Sequence, residues 1–149
     1  MSDPTLSEAR LRQELQDAMK SRAMPVVYVL RGLLAAAANR RIELGGDELP
    51  AGEILAIVQR EAKKREEAEA FARQAGRTDL VEQNAAERAI LARYLPALLD
   101  DARLTALLEE WIAAGVTGMG PLMARLKERH QGQYDGKRAS EIVRALLAS

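Results

Sequence analysis

The residues of this chain best equipped for chemistry lie near its C-terminal end. From Met119 to Leu147 the sequence reads MGPLMARLKERHQGQYDGKRASEIVRALL. Five cations, Arg125, Lys127, Arg129, Lys137 and Arg138, flank the turn Asp135-Gly136. A turn that feeds a helix N-terminus offers backbone N–H groups and the positive end of the helix dipole, which suits an anion such as phosphate. Lys137 and Arg138 fall in the first turn of the expected helix, where positive charge is mildly unfavourable for the helix itself. Arg125 and Arg129, four residues apart, share one helix face. Gly136 is expected to permit either close backbone approach or a positive φ. The predicted contact set is therefore Arg125, Arg129, Asp135, Gly136, Lys137 and Arg138, and the predicted chemistry is binding of a polyanion. The plainer reading of the same residues is a surface helix with solubilising charge.

Bond-making chemistry finds no constellation. Cysteine is absent, which removes thiol nucleophiles, disulfides and cysteine metal sites. Nucleophilic catalysis needs a hydroxyl, thiol or amine beside a base. The serines are Ser2, Ser7, Ser21, Ser140 and Ser149, and none lies in a Gly-rich turn that would expose it. His130 is the only histidine, in a basic segment without partners at metal-ligand spacing, and reads as a surface residue. Glu66-Glu67 and Asp100-Asp101 are adjacent acids whose side chains diverge on a helix, so neither pair converges on a substrate or cation by itself. No Gly-rich phosphate loop of nucleotide-binding type occurs. No catalytic residue, metal ligand or cofactor site is predicted.

The elements that must carry the basic turn are helical throughout. Thr5-Leu6-Ser7-Glu8 fits a capping box, with Thr5 and Glu8 as its reciprocal pair. Leu11, Leu15, Ala18 and Met19 then form a stripe. Pro25 ends that helix and is fit to open the next. Val26, Leu30, Leu33, Leu34 and Ala37 make the second helix apolar almost all round, as expected at the centre of a bundle, and Gly45-Gly46 ends it. A third helix begins near Pro50 and buries Ile54, Ile57 and Val58. Its stretch Arg60–Glu69 holds eight charged residues in ten, the pattern of a solvated face, supported by Glu61 and Arg65 at i, i+4. Phe71 is expected to resume the apolar face, and Ala75-Gly76 to close the helix. Asp79 and Glu82 are expected to cap a fourth helix with Ile90, Leu91, Tyr94 and Leu95 on its stripe. After Pro96, either Asp100 or Asp101 caps a fifth helix carrying Leu104, Leu107, Leu108, Trp111 and Ile112. A short sixth helix runs from Gly120 to about Arg129, and a last helix starts at about Gly136. Trp111 is expected to pack against Leu122, Leu126, Val143 and Leu147. No segment alternates with period two. The predicted fold class is all-α: an N-terminal helical bundle over residues 1–95 and a small three-helix C-terminal domain over residues 96–149.

Composition bounds the partners. The 149 residues include 22 basic and 22 acidic side chains, so bulk charge does not drive the chain onto nucleic acid or membranes. Locally the balance tilts. Residues 96–114 hold one basic and four acidic residues, whereas residues 115–149 hold six and three, a net +3. The N-terminus MSDPTLSEAR shows no secretory pattern, and the apolar run from Val26 to Ala38 is interrupted by Arg31 and too short to span a bilayer. By elimination a cytoplasmic protein without membrane partners is expected.

Several of these residues, in order, resemble the YqeY-like family. They are Arg31-Gly32-Leu33-Leu34-Ala35-Ala36, Leu49 and Glu53, Glu61 with Lys63-Lys64-Arg65, Ala75-Gly76-Arg77-Thr78-Asp79-Leu80, Tyr94-Leu95-Pro96, and the C-terminal set Met119-Gly120, Met123, Gly132, Asp135-Gly136, Val143 and Leu147. The resemblance implies two helical domains, the second similar to the tail of the GatB subunit of tRNA-dependent amidotransferases. That tail contacts tRNA while the chemistry sits elsewhere. Where the family often has Lys-Gly-Arg before Asp-Gly, this chain has Gln131-Gly132-Gln133, two cations fewer. Tyr134 is left with two roles, stacking on a base or ribose and packing under the turn. Three functions follow as expectations: a non-catalytic tRNA-associated binding module, a protein adaptor docking an amidotransferase or aminoacyl-tRNA synthetase, and an accessory part of a carbon–nitrogen ligase that uses glutamine as amido donor.

Overall fold

A computed structural model describes residues 6–149, which form seven α-helices and no strand. Their packing divides into two compact units, one ending at Leu95 and one running Pro96–Ser149.

The first unit begins with α1 (Glu8–Lys20). Its N-cap is Ser7, whose hydroxyl accepts from the Arg10 N–H at 3.1 Å. Thr5, the residue expected to cap, lies outside the described residues. Glu8, the other half of that expected pair, is buried in an ion pair with Arg41 of α2. Leu11 and Ala18 are buried, while Met19 in the last turn is exposed rather than part of the stripe. Pro25 stands in the first turn of α2 (Met24–Leu44), and Gly45, at φ 72°, closes it in the left-handed conformation that glycine adopts without strain.

α2 buries Val27, Val29, Leu30, Leu33 and Ala37 against α1, α3 and α4. It is not enclosed, however. Tyr28 is 62% exposed and Ile42 73%, because those partners cover one side of the helix and leave the other open. The apolar residues all round α2 are thus a packed face and an uncovered one.

α3 (Ala51–Gln74) and α4 (Thr78–Ala92) form the most extensive helix pair of the unit. Ile54, Ile57, Val58, Ile90 and Leu91 join the core. The charged stretch of α3 is more than a solvated face. Glu69 is only 3% exposed and bridges Arg73 at 2.6 Å and Arg88 of α4 at 2.7 Å. Arg65 joins Glu61 at 3.3 Å and Glu87 of α4 at 3.6 Å. A carboxylate buried between two helices needs such partners, since desolvation would otherwise neutralise it. Phe71 does not resume the core: it is 71% exposed, and Ala72 takes the buried position beside it. Nor do Asp79 and Glu82 cap α4. Its N-cap is Arg77, without a side-chain cap, and Asp79 instead pairs with Arg77 at 3.2 Å.

The second unit contains α5 (Asp101–Ala113), α6 (Met119–His130) and α7 (Gly136–Ala148). Asp100 is the N-cap of α5, its carboxylate accepting from the Arg103 N–H at 2.8 Å. α7 packs on both α5 and α6. Leu104, Leu108, Trp111, Leu122, Leu126, Ala139, Ile142 and Val143 form the core. Leu147 is exposed, and Leu146 packs against the core in its place.

Candidate nucleic-acid interface

The site is built around one turn. Residues 131–135 join the C-terminal end of α6 to the N-terminal end of α7. The turn is pinned from several directions. The Gln133 carbonyl accepts from the Leu99 N–H at 2.7 Å, and its own N–H donates to the His130 carbonyl at 3.0 Å. The Gln133 side chain meets His130 Nδ1 at 2.9 Å through Oε1 and donates through Nε2 to the Ala97 carbonyl at 3.4 Å. The segment before α5, the end of α6 and the start of α7 are thereby held together. Gly132 has φ 84° and is the glycine that this turn requires in a left-handed conformation.

Asp135 is the N-cap of α7. Its Oδ2 accepts from the Arg138 N–H at 2.9 Å, so a carboxylate already satisfies part of the helix end that the sequence offered to an external anion. Gly136 does not adopt the positive φ that was one of its two expected roles, and a Cβ built there meets no atom of this chain within 4 Å. Lys137 is exposed in the first turn of α7 and makes no ion pair among the described residues.

Arg138 is engaged at home. Its Nε and Nη2 donate to Asp101 Oδ2 at 3.0 and 2.9 Å, and its Nη1 to Glu141 Oε2 at 3.2 Å. The hydrogen bonds to Asp101 and then Glu141 push its pKa above the ordinary arginine value. This guanidinium ties α7 to α5 in addition to whatever it does outside.

On α6, Arg125 is half-buried with its guanidinium carbon 5.6 Å from the centre of the Trp111 ring, a cation–π contact. Lys127 and Arg129 are exposed in the last turns, without ion-pair partners among the described residues. Cations there are favoured by the negative end of the α6 dipole, a local reason for their presence. Arg129 and Lys137 thus flank the same five-residue turn. Arg144, which sequence reasoning did not single out, is exposed and two helical turns from Lys137, hence on its face. The seven-residue spacing was the available signal. Tyr134 takes the packing role of its two: it lies against the core, and burial pushes its hydroxyl above the usual tyrosine pKa.

Among the described residues no group of three or more His, Asp or Glu side chains is placed to hold a metal ion, and no helix is long and apolar enough to cross a membrane. The architecture defines a class: all-helical proteins of two compact units, the second carrying a basic inter-helix turn. Within that class, the family model for Yqey-like protein matches residues 8–147, and the chain belongs to that family. A comparison with curated proteins finds no match.

Proposed function

We propose that the chain is a non-catalytic, tRNA-associated binding module whose contact surface is the basic corner formed by α6, the 131–135 turn and α7. One observation carries this reading. Lys127, Arg129, Lys137 and Arg144 are exposed and make no ion pair among the described residues, while two of the nearby acids are already committed. Asp135 caps α7, and Glu141 serves Arg138 together with Asp101. The net +3 of residues 115–149 is therefore concentrated in side chains free to meet phosphates. The resemblance of the second unit to the tail of tRNA-dependent amidotransferases supplies the class of RNA. RNA duplexes are read largely through shape, phosphates and 2′-hydroxyls, which suits a surface of flexible cations without an aromatic platform. The proposed setting is the cytoplasm.

The test is binding to total tRNA at two salt concentrations. Removing phosphate contacts should lower affinity and make it less salt-dependent. The double variant Arg129→Glu with Lys137→Glu should weaken binding by about a hundredfold or more, from charge-assisted contacts worth about 1.5–3 kcal/mol each. Arg138→Glu is a poorer probe, because it sets a third acid beside Asp101 and Glu141. Affinity that ignores both salt and the double variant, with capture of an amidotransferase or synthetase and no RNA, would support the adaptor reading instead.

A further inference from the structure

The uncovered face of α2 has a composition that the fold of a single chain does not explain. Met24, Tyr28, Gly32, Ala35, Asn39 and Ile42 recur at intervals of three and four, which places them along one face, and all six are exposed. Gly32 is the telling residue. A glycine inside a helix costs backbone entropy and is kept where another backbone comes close. Here a Cβ would meet nothing within 4 Å, so no neighbour in its own chain requires the glycine.

The face is also self-complementary about Ala35. Tyr28 and Ile42 lie seven residues to either side of Ala35, and Arg31 and Asn39 four to either side. If two copies of α2 pack antiparallel with a twofold axis at Ala35, each Tyr28 ring meets the other copy's Ile42. Each Arg31, exposed and without an ion pair among the described residues, meets the other's Asn39 amide oxygen. Gly32 and Ala35 sit at the crossing, where small side chains allow helix axes to approach to about 8 Å. The rims agree in charge. Lys20 and Arg22 precede α2, and Asp47 and Glu48 follow it; all four are exposed without ion-pair partners among the described residues. Antiparallel pairing sets each basic end beside an acidic one, as the isologous interface of a twofold dimer demands.

We infer that this face of α2 is a homodimer interface, occupied by the same face of a second copy of the chain. The test uses the full chain. Sedimentation equilibrium should give twice the chain mass. Gly32→Leu, which has open space in its own fold, should retain helical circular dichroism but sediment as a monomer. The chain has no cysteine, so a single introduced thiol reports the register cleanly. Under mild oxidation Ala35→Cys, on the axis, should cross-link to a dimer, whereas Ala70→Cys, exposed on α3, should not. A monomeric mass for the unaltered chain at every concentration overturns the inference. So does a Gly32→Leu variant that stays dimeric, or equal cross-linking at the two positions.

Discussion

Tyr94 shows how one side chain can couple a core to pH. Its ring is buried in the first unit, and its hydroxyl donates to Glu14 Oε1 at 2.8 Å. Arg10 lies over the ring at 5.4 Å. Burial first, then the hydrogen bond to Glu14, pushes the pKa from 10.0 to about 12. The folded chain therefore holds this proton where the unfolded chain has released it. The contribution to stability is fully present below pH 10 and is lost as pH rises towards 12. Phenolate absorbance should show Tyr94 ionising far above an unperturbed tyrosine. Tyr94→Phe should flatten the fall in stability over that window, at a cost near 1 kcal/mol at neutral pH for the lost hydrogen bond. A fall equally steep in the variant would assign it to other groups.

At the scale of elements, the α3–α4 pair rests on a buried carboxylate as well as on apolar packing. Glu69 supplies one oxygen to Arg73 within α3 and the other to Arg88 across the pair. Removing one partner of a buried pair leaves the others uncompensated. Both arginines keep access to solvent, which discounts the effect. Glu69→Gln should therefore cost about 1–3 kcal/mol, read as a lower thermal midpoint. The outward acids Glu66 and Glu67 provide the comparison: Glu67→Gln should change little. Equal effects at the two positions would mean that burial of Glu69 carries no weight. In the second unit the corresponding support is Trp111, packed among Leu108, Leu122 and Leu126 and covered by Arg125. Trp111→Ala should cost roughly 3–5 kcal/mol.

At the scale of the whole molecule, each unit has its own hydrophobic cluster. Loss of one core need not melt the other. Hydrogen exchange on Trp111→Ala should show lost protection confined to residues 96–149, with amides of α1 to α4 still protected. Protection lost over the entire chain would make the two clusters one cooperative body. The charge balance acts at the same scale. With 22 cations and 22 anions, the attraction to RNA proposed above would have to be local. The slope of log affinity against log salt should accordingly be shallow. Each cation removed from the α6–α7 corner should flatten it by a little under one unit, taking the duplex DNA value of about 0.9 per phosphate as the guide.

The sequence by itself determined the helices and their ends. Periodicity, Pro25, Pro50 and Pro96, the cap Asp100 and the closing Gly45 and Gly76 are local signals, set by backbone geometry within a few residues. It also carried the family, since the motifs from Arg31 to Leu147 lie in order along the chain, and it marked the basic corner by charge. Tertiary structure decided which apolar residues found partners. Phe71, Ile42 and Leu147 are as apolar as Leu11 or Leu122, yet remain exposed, because burial depends on what another element brings opposite. It likewise decided which charges are free. Nothing in the order of residues told that Glu69 would be buried between two arginines, or that Arg138 would be held by Asp101, 37 positions away, while Lys137 was left open. Pairing of that kind is fixed by distance in space, and a sequence read along one dimension does not contain that distance.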